Sequence, residues 1–217
     1  MKCAICGIRK PKRHCPGVHG DICTICCATE REQNVDCPLD CEFLQAAHEY
    51  EQPPELDPAT LPNHDVEMTE DFVEHNQFLV ILLGTALLHG AVKAGNATDY
   101  DARQAIESLI TTYKALESGL IYESIPANPY AAEMHQSVQE RVEELREHDA
   151  EARVGASTLR DSQVLAALFI LERLERTNNN GRKRSKAFLD LLRRFGVLPV
   201  SGLEEESPEP EEPRVIL

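Results

Sequence analysis

Tryptophan is absent from this 217-residue chain and aromatic residues make up only 5% of it. That leaves few of the bulky rings and β-branched faces on which sandwiches and barrels are built, and favours helices with aliphatic cores. No cysteine occurs beyond Cys41, so sulfur chemistry is confined to the amino-terminal end. Long apolar runs are also missing. The apolar core of the longest uncharged stretch, Phe78 to Gly90 (FLVILLGTALLHG), falls short of the roughly 18 to 20 apolar residues that cross a bilayer. It contains two glycines and a histidine, and reads as a buried bundle helix, with His89 a satisfied core histidine. A membrane role is not expected. The opening residues, MKCAIC, lack the apolar core of a signal peptide, so a cytoplasmic location is the expectation. Positive charge is scarce: 22 Lys and Arg stand against 37 Asp and Glu, a net charge of −15. An acidic surface repels polyanions, so broad binding to a phosphate backbone is excluded and any nucleic-acid contact has to be local.

Catalytic signatures are missing as well. There is no His-Glu-x-x-His, no Gly-x-Ser-x-Gly and no Gly-x4-Gly-Lys loop, and no histidine has Glu three residues before it as a di-iron bundle requires. An enzymatic function is not the expectation.

What is present is a constellation of eight cysteines: Cys3, Cys6, Cys15, Cys23, Cys26, Cys27, Cys37 and Cys41. In a reducing compartment, paired Cys-x-x-Cys spacings point to metal or redox chemistry rather than to disulfides. Two such knuckles, Cys3-x-x-Cys6 and Cys23-x-x-Cys26, are separated by the kind of interval that brings four thiolates into one tetrahedron. Adjacent side chains diverge, so Cys26 and Cys27 should serve different ions. The expected grouping is therefore Cys3, Cys6, Cys23 and Cys26 on one Zn²⁺ and Cys15, Cys27, Cys37 and Cys41 on a second. His14 and His19 are the substitute ligands; if His19 pairs with Cys15, Cys27 becomes a spare thiol. An iron–sulfur cluster needs only four cysteines, but the clustered ferredoxin run is absent and the spacings favour zinc. Pro38 at a first helical position would put Cys37 near an N-cap with Cys41 one turn on. Lys2, Arg9, Lys10, Lys12 and Arg13 surround the first knuckle, either to touch phosphate or to offset the charge of two ions with eight thiolates.

Composition divides the rest into a proline-rich linker (51–65), a helical bundle (66–199) and a disordered acidic tail (200–217) behind the Cys-rich module (1–50). Periodicity and capping signals predict five helices: 69–93, ended by Gly95; one from Thr98, with Ala102, Ala105, Ile106, Leu109, Tyr113 and Leu116 inward; 130–153; 158–177, opened by Thr158; and 185–195, ended at Gly196. The fold class is all-α, an antiparallel bundle behind a small zinc module. The tail has three prolines and six glutamates and cannot bury enough surface to order itself. One local rule is broken. Arg182, Lys183, Arg184 and Lys186 crowd the start of the last helix, where cations oppose the dipole, so they form a candidate anion- or partner-binding patch. The competing reading pairs them with the Glu-rich helix 130–153.

The stretch Cys15-Pro16, Ile22-Cys23, Cys26-Cys27, Arg31-Glu32, Val35, Cys37-Pro38, Asp40-Cys41 and Leu44 resembles a Cys-rich module at the start of functionally uncharacterised bacterial proteins. Asn180-Gly181-Arg182, Arg184-Ser185 and Ala187-Phe188-Leu189 also resemble part of that family. The resemblance implies a bacterial, zinc-associated protein and no particular activity. The expected function is a non-enzymatic interaction or adaptor protein with structural zinc and a protein partner. The alternatives are a nucleic-acid-associated regulator using residues 2–13 and 182–186, and a thiol redox or metal sensor.

Overall fold

A computed structural model describes residues 2–52, 56–57, 61–153 and 157–195. The expectations for the acidic tail, for Gly196 as a helix stop and for the proline-rich middle of the linker lie outside the described residues. Two short strands, β1 (Arg13–Cys15) and β2 (Gly20–Ile22), pair antiparallel with Cys15 opposite Gly20. Seven helices follow among the described residues: α1 (Thr24–Glu30), α2 (Glu42–Tyr50), α3 (Glu70–Ala94), α4 (Asp99–Glu117), α5 (Pro129–Arg153), α6 (Asp161–Asn178) and α7 (Ala187–Phe195). The fold is all-α apart from the single hairpin.

Local chemistry sets the helix ends. Thr69 caps α3 by accepting from the Phe72 N–H at 3.2 Å, and Gly95 closes it at φ 86, a conformation open to a residue without Cβ. Thr98 opens α4 with a capping box: its N–H donates to the Asp101 carboxylate at 2.7 Å. The expected inward stripe of α4 is buried from Ala102 to Tyr113, with Leu116 partly so. For α6 the expected Thr158 cap is not used. Thr158 donates instead to Asp149 on α5, and α6 starts at Asp161, where the Arg160 N–H donates to Gln163 at 3.0 Å. α7 begins two residues later than expected, at Ala187, because Asp99 of α4 caps it from a distance. The Asp99 carboxylate accepts from the Phe188 and Leu189 N–H groups, both at 3.1 Å, and from the Ser185 hydroxyl. Burial nevertheless pushes the Asp99 carboxyl up to about 6.

The bundle is a ring in which α3 and α4 each pack against both α5 and α6. The carboxyl end of α3 meets the start of α5 through Lys93 and Glu133, and the start of α4 meets the end of α6 through Arg103 and Glu175 at 2.7 Å. Both pairs are therefore antiparallel. The connection from α4 to α5 runs back along α4, tied by Ser124 to Ser108 and Thr112, and delivers Asn128 to Asp101 at the start of α4. α7 closes the ring against α3, α4 and α6.

Three expectations need correction here. His89 is exposed; the buried histidines are His48 and His135. α3 is long and apolar enough to cross a membrane, but 44% of its most apolar window is buried in the bundle, and it shows Phe78, Ile81 and Val92 to solvent rather than being buried all round. The linker's last residues are held in place: Leu61 is buried and Asn63 bonds to Glu172 and Lys114.

α3 and α5 pack closely at Gly90, where an added Cβ would lie 2.6 Å from the Met134 Cα. Backbone cannot yield that distance without separating the helices. Gly90→Ala should therefore destabilise the protein by roughly 2 kcal/mol, measured by urea unfolding. Gly95→Ala meets nothing within 4 Å and should act only through its positive φ, at about 1 kcal/mol.

Candidate metal centres

The amino-terminal module has a core that is mostly sulfur. Its buried members are Cys3, Cys15, Cys23, Cys26 and Cys37 with Ile22, Val35 and Leu44. Three aliphatic side chains cannot supply the burial that a segment of this size needs, and small domains in that position rely on staples such as metal ions. None of the eight cysteines is in a disulfide.

The first centre is Cys3, Cys6, Cys23 and Cys26, whose sulfur atoms all lie within 4.8 Å of one another. The Zn–S bond of about 2.3 Å puts tetrahedral sulfurs roughly 3.8 Å apart, so the set fits a four-coordinate ion. The first pair comes from a tight knuckle: the Gly7 N–H bonds back to the Cys3 carbonyl at 2.8 Å, and Gly7 takes φ 63. The second pair straddles the start of α1, where Cys23 is the N-cap and its sulfur accepts from the Cys26 N–H at 3.4 Å. The Cys23 N–H in turn points at the Cys3 sulfur at 3.2 Å. Burial pushes the Cys3 thiol up, but the N–H groups of Cys6, Cys23 and Ile5 outweigh it and hold the thiol down at about 6. Cys26 is pushed up to about 12, by burial and then by the sulfurs of Cys23, Cys6 and Cys3. The four sulfurs thus compete for negative charge, and a cation among them relieves that competition.

The other four cysteines share a cavity but sit less tightly together, since no three of their sulfurs lie within 4.8 Å of one another as those of the first set do. Cys15 from the end of β1, Cys27 from α1, Cys37 from the following loop and Cys41 line one small cavity. Cys26 and Cys27, consecutive on α1, diverge as expected, one toward each group. Burial raises the Cys15 thiol and pushes Cys37 up to about 11, and in both the sulfur of Cys41 adds to the rise. One local expectation is corrected: Cys37 is not a helix N-cap. Pro38 starts a turn in which the Cys41 N–H bonds to the Pro38 carbonyl at 3.0 Å, and Cys41 holds the N-cap position of α2 without a side-chain capping bond. Of the substitute ligands, His14 borders the same cavity as Cys15, Cys27, Cys37 and Cys41, whereas His19 is not among the residues lining it. His14 faces Asp21 at 3.3 Å with its side chain 67% exposed, and His19 sits exposed in the hairpin turn at φ 52.

Two of the amino-terminal cations face sulfur. The Arg13 guanidinium donates to the Cys27 sulfur at 3.7 Å while stacking 3.9 Å over the Phe43 ring, and Arg9 lies against the Cys23 sulfur. Lys2, Lys10 and Lys12 are exposed.

The second cationic cluster is occupied from within. Arg182 pairs with Glu51 at 2.7 Å and Glu32 at 3.4 Å, and Arg184 pairs with Asp36 at 3.4 Å. Lys186, only 3% exposed, pairs with Asp36 at 2.9 Å. Lys183 is exposed. Glu32 and Asp36 belong to the Cys-rich module and Glu51 is the first residue of the linker; none of them lies in the Glu-rich α5, and they relieve the conflict with the start of α7.

Beside them lies a buried triad that sequence reasoning did not find. His48 of α2 donates to Glu32 at 3.1 Å and to Asp190 of α7 at 3.2 Å, and all three side chains are at most 1% exposed. Glu32, His48 and Glu51 come close enough to hold a cation, but Glu32 already accepts from His48, the Lys186 N–H, Asn180 and Arg182. A proton does the work of a metal here. Burial opposes charge on His48, yet its hydrogen bonds to Asp190 and Glu32 raise it from 6.5 to about 9. The same contacts hold both carboxyls below their ordinary range against their burial. No periodic pattern marks these residues, because Glu32 and Asp190 lie 16 and 142 positions from His48.

The pH dependence follows in sign. The raised histidine contributes fully below about pH 6.5 and loses its contribution as pH rises through about 9. The depressed carboxyls contribute above about pH 4.5 and lose their contribution in acid. His48→Gln should cost about 3 kcal/mol near neutrality, and its difference from the parent protein should shrink as pH rises past 9. Unfolding curves of both proteins across that range check it.

No protein-family model matches this chain, and neither a curated protein nor a solved structure does, so its own side-chain chemistry carries the functional argument.

Proposed function

We propose that this is a non-enzymatic, zinc-binding interaction protein of the bacterial cytoplasm in which two Zn²⁺ ions organise the amino-terminal module and the helical bundle serves as the docking domain. The convergence of Cys3, Cys6, Cys23 and Cys26 within 4.8 Å carries the metal part of this reading. Cys15, Cys27, Cys37 and Cys41 hold the second ion in the cavity they line. Sets of four thiolates fill the coordination sphere and leave no open position for a substrate, so the ions are structural. Arg13 and Arg9 offset the surplus negative charge of the sulfur sets.

The docking part rests on exposed apolar side chains that the bundle leaves uncovered. Leu120, Ile121, Tyr122 and Ile125 stand out from the connection between α4 and α5, with Ile121 fully exposed. Clustered exposure of this kind marks interaction surfaces. Arg182, Arg184 and Lys186 are committed to acids of the same chain, which weakens the case for a nucleic-acid regulator that uses them.

Protein purified under reducing conditions should contain two zinc ions per chain by elemental analysis, and Cys26→Ser should reduce this to one. A protein partner should stay bound at high salt and be lost from Ile121→Asp. Salt-sensitive binding to DNA or RNA that disappears when Lys10, Lys12 and Lys183 are neutralised would contradict the adaptor reading in favour of a nucleic-acid regulator. Reversible zinc release on mild oxidation would instead mark a redox sensor.

A further inference from the structure

Glu32 touches the second centre and the bundle at the same time. Its backbone N–H lies against the Cys37 sulfur and favours the thiolate there. Its carbonyl accepts from the Arg184 N–H at 2.7 Å. Its carboxylate, fully buried, accepts from the Lys186 N–H at 2.6 Å, from Asn180 at 2.8 Å and from His48 at 3.1 Å. To do all this Glu32 sits at φ 56, a left-handed conformation that a residue with Cβ adopts only when its surroundings fix it. Asp36 repeats the arrangement one residue before Cys37: its carboxylate holds Lys186 and Arg184, and its carbonyl would lie 2.3 Å from a Cβ added at Gly17 of the hairpin. The loop between Cys27 and Cys37 is therefore pinned at both ends by second-centre sulfurs and in its middle by residues 180–186.

We infer that occupancy of the Cys15, Cys27, Cys37 and Cys41 centre by a divalent ion and docking of the module on the 180–190 segment are one coupled event. The ion is the latch that holds the module to the bundle. This rests on the two-ion reading above. A loop with two ligands of one ion near its ends has few conformations left, so an ion that fixes it prepays the ordering of Glu32 and Asp36 for Asn180, Arg184 and Lys186. The reverse holds by linkage: contacts that fix Glu32 and Asp36 hold Cys37 where the ion needs it. The Cys3, Cys6, Cys23 and Cys26 centre lies on the knuckle and the first turn of α1, and among the described residues no hydrogen bond joins its ligands to residues 180–190. The two ions should therefore differ in their response to changes in the bundle. Loss of the second ion frees Arg182, Arg184 and Lys186 from their acids and turns a neutralised seam into an exposed cationic strip.

The test uses the full chain loaded with zinc. Release to a chromogenic chelator is followed in the parent protein and in Lys186→Met, with Arg182→Gln as the milder variant should Lys186→Met fail to fold. Arg103→Gln, which breaks an ion pair inside the bundle, is the control for general destabilisation. Two ions should leave the parent in separable phases. Lys186→Met or Arg182→Gln should speed one phase roughly tenfold and leave the other unchanged, while Arg103→Gln alters neither. In the other direction, Cys37→Ser should lower hydrogen-exchange protection of the Arg184 and Lys186 amides by a similar factor and leave α3 and α5 protected. Two phases that ignore the Lys186 and Arg182 variants, equal acceleration by Arg103→Gln, or unchanged amide protection in Cys37→Ser would overturn the coupling while sparing the two-ion reading. A parent protein holding a single ion would overturn both.

Discussion

Thiolate sulfurs crowded within a few ångströms repel one another until a cation lies between them, and the amino-terminal fifth of this protein is built on that constraint. Cys3 is held toward the thiolate by backbone N–H groups while Cys26 beside it is driven toward the thiol. Without a metal the cluster is frustrated; with one, four anions and a dication form a closed unit. The aliphatic contribution of Ile22, Val35 and Leu44 is too small to replace it. The knuckle at Gly7, the hairpin and the N-cap of α1 are geometries that deliver sulfur to a point.

The bundle needs no such help, and it shapes how the module is presented. Asp99 caps α7 from the start of α4, and α7 then offers Asp190 to His48. The turn before α7 supplies Asn180, Arg182, Arg184 and Lys186, which meet Glu32, Asp36 and Glu51. A module of little aliphatic content is thereby joined to the bundle by hydrogen-bonded charge, with Leu39 packed against the bundle's apolar core. Buried ionic joints contribute modestly to stability when complete and cost heavily when one partner is removed. Such a joint favours one arrangement strongly over its neighbours.

Much of the bundle was legible because its signals are local. Thr69 and Gly95 bracket α3, Thr98 with Asp101 opens α4, and the stripe from Ala102 to Tyr113 faces inward as its spacing implies. The first sulfur set was legible for the same reason: two Cys-x-x-Cys knuckles are short-range geometry, and the divergence of Cys26 from Cys27 follows from their adjacency. Misreadings arose where a distant partner overrode a local preference. Thr158 has the spacing of a cap but finds Asp149. Pro38 suggests a helix start but introduces a turn. The cations before α7 conflict with its dipole only until Glu32 and Asp36 are brought across from the module. The triad of Glu32, His48 and Asp190 carries no local trace, since nothing around His48 distinguishes it from a surface histidine on an amphipathic helix.

The central claim is that metal, and not apolar burial, orders the amino-terminal module. Amide NMR spectra of the reduced full-length protein before and after removal of bound metal test it most directly. The account predicts that resonances of residues 2–50 collapse toward random-coil positions on chelation while those of α3, α4, α5 and α6 keep their dispersion. A metal-free sample in which residues 2–50 stay dispersed would contradict it.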